Sequence, residues 1–260
     1  MSAEESIPIA TRWLLDASGE VGRQAVKSVC MIFSRETGQK GTGFLLKSGH
    51  VMTAFHVIEH SQLENTFALM SDGEVIGFKH VEYDRLRDLA ILRPVRELNG
   101  GLEIHNEGEV KVGTQVYTWG YPLGYNGPAP LLTVGFLSEF NARPLKGGTV
   151  VKYLVVNSAF NQGNSGGPLF VSRTNKVIGV VVAKHSPIPP FIKSAIKALA
   201  ENRSGVVFKA VRKDGSEVEF VESQIVAEIL NYYRSTLTQV VIGEAVAGSE
   251  VLSFLRSRGL

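Results

Sequence analysis

Short apolar runs, bounded by Gly, Pro or Asn, recur along most of the chain. They fall at residues 29–33, 43–46, 51–54, 89–92, 115–119, 132–137, 150–156 and 177–182, with a further run at 239–242. Their length and β-branched content suit strands. Many short strands separated by turn residues predict an all-β barrel or sandwich. The stretch from about Pro94 to Val112 has weak periodicity and is expected to join two halves of about six strands each.

Helical patterning is confined to the flanks and to one late segment. A short helix is expected around 9–15. After Pro189-Pro190, residues 191–201 place Ile192, Ala195, Ile196 and Leu199 on one face, with a stop near Gly205. Residues 206–211 and 217–221 flank Asp214-Gly215, a two-residue hairpin signal. Ser223 is placed to cap a helix running to about 234, whose apolar stripe is Ile225, Val226, Ile229, Leu230 and Tyr233. A strand at 239–245 and a helix at about 249–257 complete the pattern.

Composition narrows the function classes. Among 260 residues, Lys+Arg 27 against Asp+Glu 25 gives a net charge of +2, too balanced to call for nucleic acid or a lipid surface. The single cysteine, Cys30, permits no intramolecular disulfide and no Cys-rich metal cluster. Residues 1–25 carry Glu4, Glu5, Asp16 and Glu20 and do not read as a signal peptide. No run approaches the length of a membrane-spanning helix, so no membrane partner and a cytoplasmic location are expected.

Three local signals carry chemistry. In Gly163-Asn164-Ser165-Gly166-Gly167-Pro168 a serine sits between glycines. A serine hydroxyl needs a base to take its proton and N–H groups aimed at the oxyanion it creates, and flanking glycines permit the tight turn that supplies them. Gly41-Thr42-Gly43-Phe44 and the run Val51-Met52-Thr53-Ala54 lead to Phe55-His56, a strand delivering an imidazole. Arg87-Asp88-Leu89-Ala90-Ile91-Leu92 sets an acid before an apolar strand. Each alone also fits a plain turn, a half-buried histidine or a solvated aspartate. Together they stand in the order His56, Asp88, Ser165, that of the chymotrypsin-type triad.

Two other catalytic readings use the same residues. The glycine-flanked Ser165 also satisfies the α/β-hydrolase nucleophile elbow, but that fold requires serine, acid, then histidine. After Ser165 comes only His185, with no aspartate between them. His56-Val57-Ile58-Glu59-His60 spells the inverted zinc-peptidase motif, which requires a long helix and a further ligand. Here it follows a strand, with room for about two turns. No metal and no cofactor are expected, and His60 reads as a surface residue.

The joint pattern resembles the trypsin-like serine peptidases, and within them the HtrA (DegP-like) branch. The resemblance covers about 27–185 and resumes at 239–257, through Gly120-Tyr121-Pro122-Leu123-Gly124, Thr133-Val134-Gly135-Phe136-Leu137, Val177-Ile178-Gly179-Val180 and Ile242-Gly243-Glu244-Ala245-Val246. It implies two six-stranded antiparallel β-barrels of the chymotrypsin type, with an α/β insertion and terminal helices. An N-terminal extension would occupy 1–25 and the protease domain 26–260. The first barrel would span about 26–95, the second about 110–185 and 239–260, with a helix–hairpin–helix element inserted at 186–238. Ser165 would be the nucleophile, His56 the base and Asp88 its orienting acid. The N–H groups of Gly163 and Ser165 would form the oxyanion hole.

By the same resemblance, Ala159 would lie at the base of the substrate pocket. Val182, Ala183 and Lys184 would form one wall and pair with a protein or peptide substrate as an added strand. An apolar residue of small or medium size is expected before the cut, and Lys184 departs from the small residue usual at that wall. Asn164 stands where digestive relatives carry an aspartate that pairs with a new N-terminus. An amide cannot make that ion pair, so control by loop ordering is expected. The insertion is read as a lid, a substrate-selecting arm or a docking element for an activating partner, or as decoration on the barrel. No PDZ module is expected before the end at Leu260. Oligomeric state is not readable. A binding module that keeps the fold without assembling the triad is the competing reading.

Overall fold

The computed structural model describes residues 7–108, 110–144, 148, 150–158, 160–184, 190–202, 205–211, 214–237 and 242–260. Strands β1 (Val29–Ser34), β2 (Lys40–Leu45), β3 (Val51–Ala54), β4 (Thr66–Met70), β5 (Val75–Asp84) and β6 (Leu89–Pro94) close an antiparallel barrel in the order β1-β2-β3-β6-β5-β4. Strands β7 (Gln115–Gly120), β8 (Leu131–Pro144), β9 (Val150–Val156), β10 (Pro168–Val171) and β11 (Val177–Lys184) belong to a second barrel. A hairpin of β12 (Val207–Val211) and β13 (Glu217–Val221) intervenes, and β14 (Gly243–Ala247) then closes the second barrel in the order β10-β11-β14-β9-β8-β7. Two closed six-stranded antiparallel barrels are the chymotrypsin-like architecture that the resemblance implied.

Several elements differ from the expected pattern. β5 escaped it because a barrel strand is half exposed and carries Lys79, His80 and Glu82 on its outer side; β4 is a further short strand that the pattern did not include. β10 is four residues directly behind the glycine turn. The last strand lies later than 239–245, at Gly243–Ala247, and residues 238–241 fall outside the described residues. Besides α1 (Ile9–Ala17), a second helix α2 (Glu20–Ser28) precedes β1 and buries Ala25 and Val26. Its Gly22 and Val21 had masked the helical period.

One apolar cluster fills the first barrel with Phe44, Met52 and Leu92 and continues through Trp119, Tyr153 and Phe170 of the second. A smaller one fills the second barrel around Leu137, Leu154 and Leu169. The connection between barrels is tacked to each in turn. The Leu102 N–H donates to Leu45 O at 2.8 Å, and the His105 N–H to Val177 O at 2.7 Å. Gly101 makes the first tack possible: its φ is +97° and a Cβ there would lie 2.6 Å from the Leu46 carbonyl.

Residues Ser186–Val240 form a separate compact unit. It holds α3 (Pro190–Glu201), the β12–β13 hairpin and α4 (Glu222–Leu237). Asp214 Oδ1 accepts from Ser216 N–H at 3.0 Å, and Gly215 takes φ +83°, as the turn requires. α4 starts two residues earlier than a cap at Ser223 implies, so Ser223 lies in its first turn and donates to Asn202 O at 3.0 Å.

The terminal helix, α5 (Gly248–Ser257), buries Val251, Phe254 and Leu255 and is pinned by a buried carboxylate. Glu107 is 4% exposed. Its Oε1 accepts from Lys152 Nζ at 2.8 Å and Ser249 Oγ at 2.9 Å, and its Oε2 from Ser249 N–H at 2.9 Å. Burial pushes this carboxyl up, but those donors outweigh it and hold it below the usual carboxylate range. A depressed folded value adds stability above the unfolded pKa, lost as pH falls through the folded one. Glu107→Gln is therefore expected to lose about 2 kcal/mol at neutral pH. In urea unfolding measured against pH, the gap to wild type should close below about pH 4.

Candidate active site

The register of the first barrel brings His56 to Asp88. β3 and β6 pair Ala54 with Leu89, so the residues just beyond that pair meet at the barrel's end. The Phe55 N–H donates to Asp88 O at 3.1 Å, and residues 55–57 form a 3₁₀ turn that aims the imidazole outward. Asp88 then holds His56 twice. Its Oδ1 accepts the His56 backbone N–H at 2.8 Å, and its Oδ2 meets Nδ1 at 2.6 Å. An ionised carboxylate only accepts, so Nδ1 carries the proton and Nε2 is left as the acceptor. The His56 carbonyl accepts from Gln39 Nε2 at 2.7 Å. Asp88 sits at φ +58°, a left-handed conformation that costs an L residue about 1 kcal/mol.

The serine loop is held by the other barrel. Thr42, fully buried on β2, donates its hydroxyl to Gly163 O at 2.6 Å and accepts from the Tyr121 N–H at 3.0 Å. Its backbone N–H donates to Ser165 O at 2.8 Å, and its carbonyl accepts from Thr53 Oγ1 at 2.7 Å. The Gly166 N–H donates to Val181 O at 2.6 Å, and the Val181 N–H returns to Gly167 O at 2.9 Å. Gly163 and Gly166 have φ of +96° and +89°, and a Cβ on them would collide with the carbonyl oxygens of Tyr121 and Thr42. The glycines on both sides of Ser165 are thus demanded by backbone strain and close approach. Ser165 is held through its backbone, and among the described residues no hydrogen bond joins its hydroxyl to His56. Asn164 is 1% exposed, and among the described residues neither atom of its amide has a hydrogen-bond partner.

Of the expected pocket residues, Val182 is buried on β11. Ala159 lies outside the described residues. Ala183 and Lys184 pair in backbone register with Glu244 and Gly243, and their side chains lie outside what is described. Two further residues mark this region. Phe160 is buried, and its ring lies so close to Gly243 that a Cβ there would collide with it. Sequence reading assigned Phe160 no role. The zinc-motif residues do not share a helix: the turn after β3 spans 55–57, and Glu59 pairs with Arg85 at 3.7 Å.

A family model described as the trypsin-like peptidase domain matches residues 41–180. A relative from Pseudomonas fulva named probable periplasmic serine endoprotease DegP-like is 27% identical over 247 residues, covering 87% of this chain and 47% of its own. The chain thus spans about half the length of that relative. Among solved structures, the Mycobacterium tuberculosis protease Rv3671c in an inactive form has a TM-score of 0.60 at 21% identity, covering 92% of this chain and 93% of its own. The HtrA-type protease AlgW with a decapeptide also has a TM-score of 0.60, at 16% identity, covering 91% and 66%. At these identities the two structures speak for the fold. The expectation of a cytoplasmic location gains no support from the DegP-like relatives, whose names place them in the periplasm. Among the described residues no helix is long and apolar enough to cross a membrane.

Thr42 tests how this site is assembled. Thr42→Val keeps the side chain's shape but strands a buried carbonyl and a buried N–H. It is expected to destabilise the protein by about 3 kcal/mol in urea unfolding, well beyond the effect of an exposed Thr→Val change.

Proposed function

Because the chain belongs to the trypsin-like peptidase family, we propose that it is a serine endopeptidase acting on protein or peptide substrates through His56, Asp88 and Ser165. The double grip of Asp88 on His56, ring and backbone together, carries this reading. With Nδ1 occupied, Nε2 is the free base on the half-buried ring. Ser165 Oγ attacks the scissile carbonyl carbon as its proton passes to His56 Nε2. The tetrahedral oxyanion is received by the N–H groups of Gly163 and Ser165. His56 then protonates the departing amine, and the acyl-enzyme is released by water through the same steps in reverse roles. Asp88 keeps the imidazole in the required tautomer and offsets its charge while it holds two protons.

The pocket for the residue before the cut is proposed to be shallow. Phe160 and Gly243 pack ring against backbone, and Gly243 pairs with Lys184 of the proposed wall, which favours a small apolar side chain. The compact unit at Ser186–Val240 follows directly from β11, whose backbone at Val182, Ala183 and Lys184 is proposed to pair with substrate. That unit is proposed to receive an activating partner that orders the serine loop, whose Asn164 amide is unpaired.

Intact mass after exposure to a fluorophosphonate tests the reading. One adduct is expected on wild type, none on Ser165→Ala, with no effect of EDTA, and Asp88→Asn should slow labelling by about 10⁴-fold. Absence of the adduct both alone and with candidate partner proteins would leave a binding module of the same fold. Cleavage of a peptide library separates the finer proposals. Phe160→Ala should shift preference towards larger apolar residues by about tenfold, and removal of 186–240 should abolish any response to a partner. Unchanged profiles would overturn them.

A further inference from the structure

The turn that presents Asp88 is closed by the residue before it. Asp84, the last residue of β5, accepts with Oδ1 from the backbone N–H groups of Leu86 at 2.9 Å and Arg87 at 3.1 Å. The Arg87 side chain folds back over this turn. Its Nη1 donates to Asp84 Oδ2 at 2.8 Å, and its Nε to Glu250 Oε2 at 3.0 Å. Glu250 stands in the first turn of α5, 163 residues away in sequence, and its Oε1 accepts from the Lys152 N–H on β9 at 3.3 Å. The side chains of Arg87, Asp84 and Glu250 are 19%, 18% and 17% exposed, so this is a largely desolvated guanidinium gripped by two carboxylates.

The grip lies against the strained point of the site. Asp88 at φ +58° must stay left-handed for both carboxylate oxygens to reach His56. On its C-terminal side the strand pairing Asp84↔Leu89 and the Phe55–Asp88 hydrogen bond fix the backbone. On its N-terminal side the restraint comes from Arg87 and the Asp84 turn. Strain of this kind persists only where the surroundings over-determine it. We propose that Arg87 is a positioning residue for the triad, anchoring the Asp88 turn to the C-terminal helix through Glu250. This rests on the serine-peptidase reading and assigns it a support outside the reacting groups. A lysine keeps the charge but lacks the planar fork that serves two carboxylates at once.

The test compares wild type, Arg87→Met, Arg87→Lys and Glu250→Gln in fluorophosphonate labelling, peptide hydrolysis and thermal unfolding, with low-field proton NMR of the His56 Nδ1–H. Rates are taken well below each variant's own melting temperature, so loss of folded protein is separated from loss of alignment. Arg87→Met should lower kcat by about 10- to 100-fold with KM nearly unchanged, and should broaden or displace the Nδ1–H resonance. Glu250→Gln should do the same to a smaller degree, and Arg87→Lys should recover part of the rate. Wild-type labelling and resonance in Arg87→Met, or a loss confined to KM, would overturn the proposal. If wild type itself never labels, the peptidase reading fails, while the resonance of wild type against Arg87→Met still decides the positioning role.

Discussion

The site depends on one buried hydroxyl that must both give and receive a hydrogen bond. Thr42 belongs to the first barrel, yet Gly163 and Tyr121, its partners, belong to the second. Its backbone N–H holds the Ser165 carbonyl, and its carbonyl is held in turn by Thr53. Neither barrel alone contains the candidate site: His56 and Asp88 come from one, Ser165 and its glycine turn from the other. A hydroxyl buried at 0% exposure is costly unless fully paired, so these bonds also fix how the two barrels meet.

Left-handed backbone positions occur on both sides of that junction. Asp88, Gly163 and Gly166 all take positive φ, the first without the freedom of a glycine. Each is fixed by neighbours on both sides: Asp88 by the β3–β6 pairing and the Arg87–Glu250 link, the glycines by carbonyls approaching where a side chain would stand. The C-terminal helix thus has two duties. It covers the core with Val251, Phe254 and Leu255, and it supplies Glu250 and Ser249 to two ion-pair systems, one at the Asp88 turn and one at Glu107.

Asn164 departs from this close pairing, as does the buried hydroxyl of Tyr121. A buried amide with no partner forfeits roughly 1–3 kcal/mol. The cost falls on the residue between the two groups proposed to bind the oxyanion.

The run of short, β-branched segments and the order of His56, Asp88 and Ser165 were legible without coordinates. Strand period and the chemical demands on a nucleophile are local properties of the chain. So were the two helices and the hairpin seen among the described residues of 190–237, because their periodicity and the Asp-Gly turn are local as well. Strand β5 and the helix at Glu20–Ser28 were not, since their outward faces carry polar residues and only packing tells which face is covered. Thr42 stood in a recognised motif without a role. Its partners lie 79 and 121 residues away, and no spacing announces them. Phe160 against Gly243 and Arg87 against Glu250 were likewise decided by tertiary structure alone. The sequence by itself determined which groups could do the chemistry. Which carbonyl approaches which glycine, and which carboxylate meets which guanidinium, follows from how two closed barrels and a terminal helix pack together.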